Sequence, residues 1–150
     1  MSEVKSILLV GVGGQGAILT AKVLVNGLMR AGYDVKMSEV HGMSQRGGSV
    51  VTYVKYGSEV CSPVVEKGEA DIIISFEQLE AARYVSYLKK GGHIITSTQQ
   101  IDPMPVITGA AVYPEDIIGK LKAEGVDVIA VDALALAEQA GTCLLYTSPS

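Results

Sequence analysis

Short apolar runs alternate with amphipathic stretches along most of this chain. Ser6-Ile7-Leu8-Leu9-Val10 has the length and composition of a buried strand. After a glycine-rich break, a segment to about Ala31 places Ile18, Ala21, Val25 and Leu28 on one helical face. Gly32 and Asp34 end that helix, and Val35-Lys36-Met37-Ser38-Glu39 begins a second strand. The pattern predicts a strand–helix–strand unit whose two strands run parallel through a right-handed crossover.

The alternation continues beyond a polar stretch at residues 39–48. Residues 49–56 are β-branched and aromatic, Gly57-Ser58 is a two-residue turn candidate, and residues 59–62 return before Pro63, which predicts an antiparallel hairpin. Residues 71–76 form an apolar-centred run suited to burial on both sheet faces. A helix is expected over about 77–89, with Leu79, Ala82, Val85 and Leu88 along one side and a stop at Gly91-Gly92. A strand at 93–98 follows, then a loop containing Pro103 and Pro105. Pro114-Glu115-Asp116 suits the first turn of a helix carrying Ile117, Ile118 and Leu121, which Gly125 stops. Residues 126–131 are the last clear strand, and a further helix is expected from Ala133. Together these elements predict an α/β fold: a three-layer α/β/α Rossmann-like sandwich, its sheet mostly parallel with an inserted β-hairpin.

Size and charge narrow the picture. The 150 residues suffice for one domain with a core, expected over 1–142, and leave no room for a second substrate domain. Twelve basic and sixteen acidic residues give a net charge of −4 without a lysine–arginine run, which argues against nucleic-acid and anionic-membrane partners. No apolar stretch approaches the ~18 residues of a membrane span, and the start of the chain lacks a leader pattern. These features are those expected of a cytoplasmic protein. Residues 143–150 break the preceding helical pattern. They back-translate to a sequence resembling a transposase-end sequencing adapter read in frame, so they are set apart as a suspected non-native tail; an intact genomic copy encoding them would refute this.

Candidate chemistry gathers in two places. Gly11-Val12-Gly13-Gly14-Gln15-Gly16 is a G-x-G-x-x-G turn between a strand and a helix, where unpaired helix N–H groups can receive a phosphate. Glu39 lies roughly 20 residues beyond, where ribose recognition would want a carboxylate. Such glycines serve equally to pack a helix close against a sheet. The second place is Glu39-Val40-His41-Gly42-Met43-Ser44-Gln45-Arg46-Gly47-Gly48, which is far more polar than a dinucleotide site requires. His41 could be a general base or a loop histidine bonded to backbone, Gln45 an amide reader, and Arg46 a fixed cation or an interface contact. Gly42, Gly47 and Gly48 allow a sharp path, and both stretches should meet at one rim of the sheet.

Other chemistry is sparse. Cys61 and Cys143 are the only cysteines and His41 and His93 the only histidines, too few for an iron–sulfur cluster or a conventional zinc site. Cys61 reads as a small apolar residue in a strand, and His93 as structural. Asp71 and Asp132 have no visible acid–base partner.

At its two polar stretches the chain resembles the 2-oxoacid:ferredoxin oxidoreductases, specifically their small gamma-type component. Gly11 to Gly16 matches the family's G-x-G-G-Q-G opening. Residues 39–50 look like the form found in the indolepyruvate branch, and Ser62-Pro63, Gly68-Glu69-Ala70-Asp71 and Val131-Asp132-Ala133-Leu134-Ala135 also fit. The resemblance covers residues 5–141. It implies a beta subunit taking part in oxidative decarboxylation of aryl 2-oxoacids, with coenzyme A as cosubstrate and ferredoxin as electron acceptor. Thiamine diphosphate, magnesium and iron–sulfur clusters would sit on a large alpha subunit, with no cofactor on this chain. By the resemblance, Gly11, Gly13, Gly14, Gln15, Gly16, His41, Gly42, Ser44, Gln45, Arg46, Gly47 and Gly48 face that partner or a ligand, and none is assigned as a catalyst. A stand-alone dinucleotide-binding module and a purely structural interaction subunit are the competing readings.

Overall fold

A computed structural model of the chain describes residues 4–13, 16–41 and 48–132, with the backbone alone at His41. Six strands form one sheet in the order β2-β3-β1-β4-β5-β6. They are β1 (Lys5–Val12), β2 (Asp34–His41), β3 (Ser49–Gly57), β4 (Ala70–Ser75), β5 (Leu88–Ser97) and β6 (Asp127–Val131). The parallel ladders β1–β4, β4–β5 and β5–β6 make one half of the sheet. In the other half β3 runs antiparallel to both β1 and β2.

Helices cover both faces, as a sheet with two apolar faces requires. Alternation along β1 sends Leu8 and Val10 to one side and Ile7 and Leu9 to the other. The first side joins Val51, Ile73, Ile94 and Val128 to Ala81 of α2 (Gln78–Arg83) and to Ile117 and Leu121 of α4 (Ile117–Ala123). On the second, Val54 meets Ala21 of α1 (Ala17–Arg30), with Leu24, Val25 and Leu28 packed around it. The three-layer architecture is therefore present. A one-turn helix, α3 (Met104–Ile107), also forms in the proline loop, with Pro103 at its N-cap.

β1 and β2 run in the same direction, as the strand–helix–strand unit predicts, with β3 between them. Other expectations are corrected. The hairpin is made by β2 and β3 around the polar stretch; residues 59–62 form no strand and Cys61 is exposed. The reason is that β1 and β2 already occupy both edges of β3, leaving no edge for a returning strand. Asp34 instead accepts the Val60 N–H at 2.8 Å and tethers that segment.

The helix expected over 77–89 is shorter. It ends at Arg83, passes through a 3₁₀ turn at Val85–Tyr87, and gives way to β5 at Leu88, which pairs with Ala70. Gly91-Gly92 is therefore a bulge inside β5 rather than a helix stop. Ala70 faces Leu88 while Ile72 faces His93, so the extra residues of β5 must loop out, and Gly91 does so at φ +83°. α4 carries Ile117, Ile118 and Leu121 as expected and is ended at Gly125 with φ +88°, but Pro114-Glu115-Asp116 precedes it instead of forming its first turn, the Asp116 carboxylate capping it on the Gly119 N–H. The helix expected from Ala133 and the 143–150 tail lie outside the described residues.

Candidate functional site

The glycine turn and the polar stretch meet at the rim formed by the carboxyl ends of β1 and β2 and the start of β3. Val50 of β3 pairs with Gly11 on one side and with His41 on the other. Beyond the ladder, the Gly13 N–H donates to the Gly48 carbonyl at 3.0 Å. Gly11, Gly13, Gly16, the His41 backbone and Gly48 thus share one rim. Gly14, Gln15, Gly42, Ser44, Gln45, Arg46 and Gly47 lie outside the described residues, as does the His41 side chain.

Gly16 opens α1 with φ +82°, a conformation that favours glycine, and no side chain caps the helix. The Thr20 amide and hydroxyl both donate to the Gly16 carbonyl at 3.0 Å. Beside this helix start lies a cavity of about 300 Å³ walled by Val12, Ala17, Ile18, Leu19 and Val50, with Lys22 as its cation. Uncapped helix N–H groups, one ammonium and apolar walls suit a group that ends in a hydrogen-bond acceptor and carries an apolar body.

Glu39 does not take the place a ribose carboxylate needs. It pairs with Thr52, which in turn pairs with Leu9, so a whole strand separates β2 from β1. At ~4.8 Å per strand, Glu39 stands about 10 Å from the glycine strand, whereas in a dinucleotide fold the acidic strand is its direct neighbour.

A second cluster beside the rim was not singled out by sequence pattern. Glu77, 1 % exposed, caps α2 by accepting the Glu80 N–H at 2.9 Å. Its other oxygen accepts the Ile101 N–H at 3.0 Å and the Tyr113 hydroxyl. The same Tyr113 oxygen accepts the Leu79 N–H at 3.2 Å, so the start of α2 is fastened to two later loops. Burial, and then the bond to Glu77, push the Tyr113 phenol above its ordinary range. One turn on, Glu80 is 4 % exposed and accepts the Ser49 hydroxyl, while Arg83 Nε lies 3.2 Å from its second oxygen. Burial raises the Glu80 pKa and the nearby Glu77 adds to the rise; the Ser49 bond and the Arg83 charge oppose it. The signal open to sequence reading was two carboxylates three apart at a helix start. Nothing local marks them as buried.

The remaining candidates lie elsewhere. His93 pairs through Nδ1 with Asp127 on the neighbouring β6. Asp71 accepts the Ser6 N–H at 2.9 Å and faces Lys89 at 3.6 Å, at the opposite rim. Among the described residues no three His, Cys, Asp or Glu side chains converge as metal ligands, and no helix is long and apolar enough to cross a membrane.

A mixed α/β sheet with a glycine turn and a hairpin loop meeting at one rim defines the class, and comparison with known proteins places the chain within it. The chain belongs to the pyruvate ferredoxin/flavodoxin oxidoreductase family, which it matches over residues 6–148. It is 48 % identical over 139 residues to the indolepyruvate oxidoreductase subunit IorB of Thermococcus kodakarensis, covering 91 % of this chain and 69 % of that protein. Its identity to the Archaeoglobus fulgidus protein of the same name is 45 % over 141 residues, covering 93 % and 70 %. Among solved structures, the fold matches 2-oxoglutarate:ferredoxin oxidoreductase from Magnetococcus marinus, determined with 2-oxoglutarate, coenzyme A and succinyl-CoA bound. That match has a TM-score of 0.65 at 18 % identity and covers 93 % of this chain but 22 % of the other, so the likeness is one of fold to part of a larger polypeptide.

Proposed function

We propose that this chain is the beta subunit of an indolepyruvate-type 2-oxoacid:ferredoxin oxidoreductase. The observation that carries this reading is the 48 % identity to an indolepyruvate oxidoreductase subunit across 91 % of the chain. In this reading a large alpha subunit holds thiamine diphosphate, magnesium and iron–sulfur clusters, and the complex converts aryl 2-oxoacids to acyl-CoA with reduction of ferredoxin in the cytoplasm. The sequence supports that division of labour: two cysteines cannot furnish the four thiolates of a cluster, and no step of the electron path is assigned to this chain.

This chain's own contribution would be its rim. The uncapped start of α1, Lys22 and the apolar wall offer a surface on which the partner, or the acyl acceptor it holds, can be seated. Gly14, Gln15, His41, Gly42, Ser44, Gln45, Arg46 and Gly47 are proposed to complete it. The separation of Glu39 from β1 disfavours a stand-alone dinucleotide module.

The test is reconstitution. The purified chain is expected to show no turnover, and its addition to the large subunit to produce indolepyruvate-dependent ferredoxin reduction that requires coenzyme A. A large subunit whose activity is indifferent to this chain would sink the proposal. Within an active complex, Arg46→Ala separates two roles: reduced turnover per assembled complex places the polar stretch at the chemistry, whereas reduced assembly with unchanged turnover makes it purely an interface.

A further inference from the structure

Glu80 is buried and unnecessary to the helix that carries it. Glu77 caps α2, so Glu80 is not needed as a cap, and at this buried position a carboxylate is costly unless both oxygens are engaged. Both are: one accepts the Ser49 hydroxyl and the other faces Arg83, itself half-exposed at the protein surface. Ser49 is the first residue of β3, and its neighbour Gly48 accepts the Gly13 N–H. Ser49 shares its strand face with Val51 and Tyr53, which pack in the α2-side core, so its hydroxyl points out of the sheet toward α2. The exit of the polar stretch is therefore tied along the sheet to the glycine turn and across the layers to α2. Because Glu77 fastens α2 to Ile101 and Tyr113, the second tie ends on an anchored element.

We propose that Glu80 is a positioning residue: held between Ser49 and Arg83, its carboxylate fixes the Gly48–Ser49 junction and thereby the separation of the two motifs at the rim. It touches no reacting group and acts through Ser49. The turnover part of its test rests on the proposed function; the structural part does not.

The experiment is a double-mutant cycle of Ser49→Ala and Glu80→Ala, with Glu80→Gln as the conservative variant, read in two ways. In the chain alone, hydrogen exchange at the Gly13 and Val50 amides should rise about tenfold in either single variant and no further in the double, as expected for one shared hydrogen bond to a charged group. Amides of β4 and β5 should be unaffected. In the reconstituted complex, kcat per assembled complex should fall by a similar factor in both single variants with no added loss in the double. Glu80→Gln should restore most of it, since the amide oxygen still accepts from Ser49. If the two single effects multiply, if exchange rises throughout the sheet, or if kcat is unchanged in assembled Glu80→Ala complexes, Glu80 is not a positioning residue. A wild-type chain inert with the large subunit would instead remove the proposed function, and the exchange cycle would still decide on the clamp.

Discussion

The charge of Glu80 is a liability as well as a tie, and pH separates the two. Burial raises its pKa above 4.5, so the folded chain binds this proton more tightly than the unfolded chain does. The favourable contribution is therefore fully present below the unfolded pKa and is lost as pH rises through the higher folded value. Glu77 reinforces that loss, and Ser49 and Arg83 limit it. Glu80→Gln removes the titration, so its melting temperature relative to wild type should climb as pH is raised from about 4 to 7. Thermal unfolding at several pH values checks this, and a flat or falling difference would mean that the partners more than compensate the burial. None of this was legible in the sequence. Ser49 and Glu80 are 31 residues apart, and Glu77 and Tyr113 are 36 apart. Apolar periodicity locates the core but not the polar groups that fold into it. The special backbone at Gly16, by contrast, was readable, because a glycine between a strand and a helix marks a turn whatever surrounds it.

Among the elements, β5 shows most clearly what local pattern can and cannot specify. Gly91-Gly92 announces a break in regular structure, and there is one; whether it ends a helix or bulges a strand is set by what the chain meets next. Here the chain has already rejoined Ala70 of β4 at Leu88, and the glycines absorb the register shift. Gly92 is the tighter of the two. A Cβ there would stand 2.8 Å from the Asp71 carbonyl and 2.8 Å from Leu88 Cδ1, and the carbonyl belongs to the neighbouring strand and cannot swing aside. Gly92→Ala should therefore destabilise the chain by about 1–3 kcal/mol, measured by denaturant unfolding. A neutral result would show that the bulge repacks freely. The displaced hairpin follows the same logic: the strand propensity of residues 49–57 was plain, but a sheet position depends on which edges are free, and β3 fills the gap between two strands that a simpler doubly wound sheet would place side by side.

For the molecule as a whole, the sheet order sets a buried centre apart from its edges. β1 and β4 are central, and Leu8, Leu9, Val10 and Ile73 are fully buried. β2 and β6 are the edges, where one side of each strand has no ladder within this sheet. Amides of β1 and β4 should exchange only by global unfolding, with one common free energy and a steep denaturant dependence, while those of β6 open locally. The rim is built at the ends of the central strands: Gly11–Gly13 continues β1, and Ser49 begins the strand beside it. A site placed there inherits the rigid base of the central strands, which suits the proposed role of presenting this rim to a partner. The consequence is directional. On assembly with the proposed large subunit, amides at residues 11–13 and 48–50 should gain protection, and those near Lys5, Asp71 and His93 at the opposite rim should not. Hydrogen exchange of the free chain and of the complex measures both ends at once. Protection gained at the opposite rim alone would move the interface away from the motif-bearing end and leave the Gly13–Gly48 hydrogen bond as a device for packing the fold.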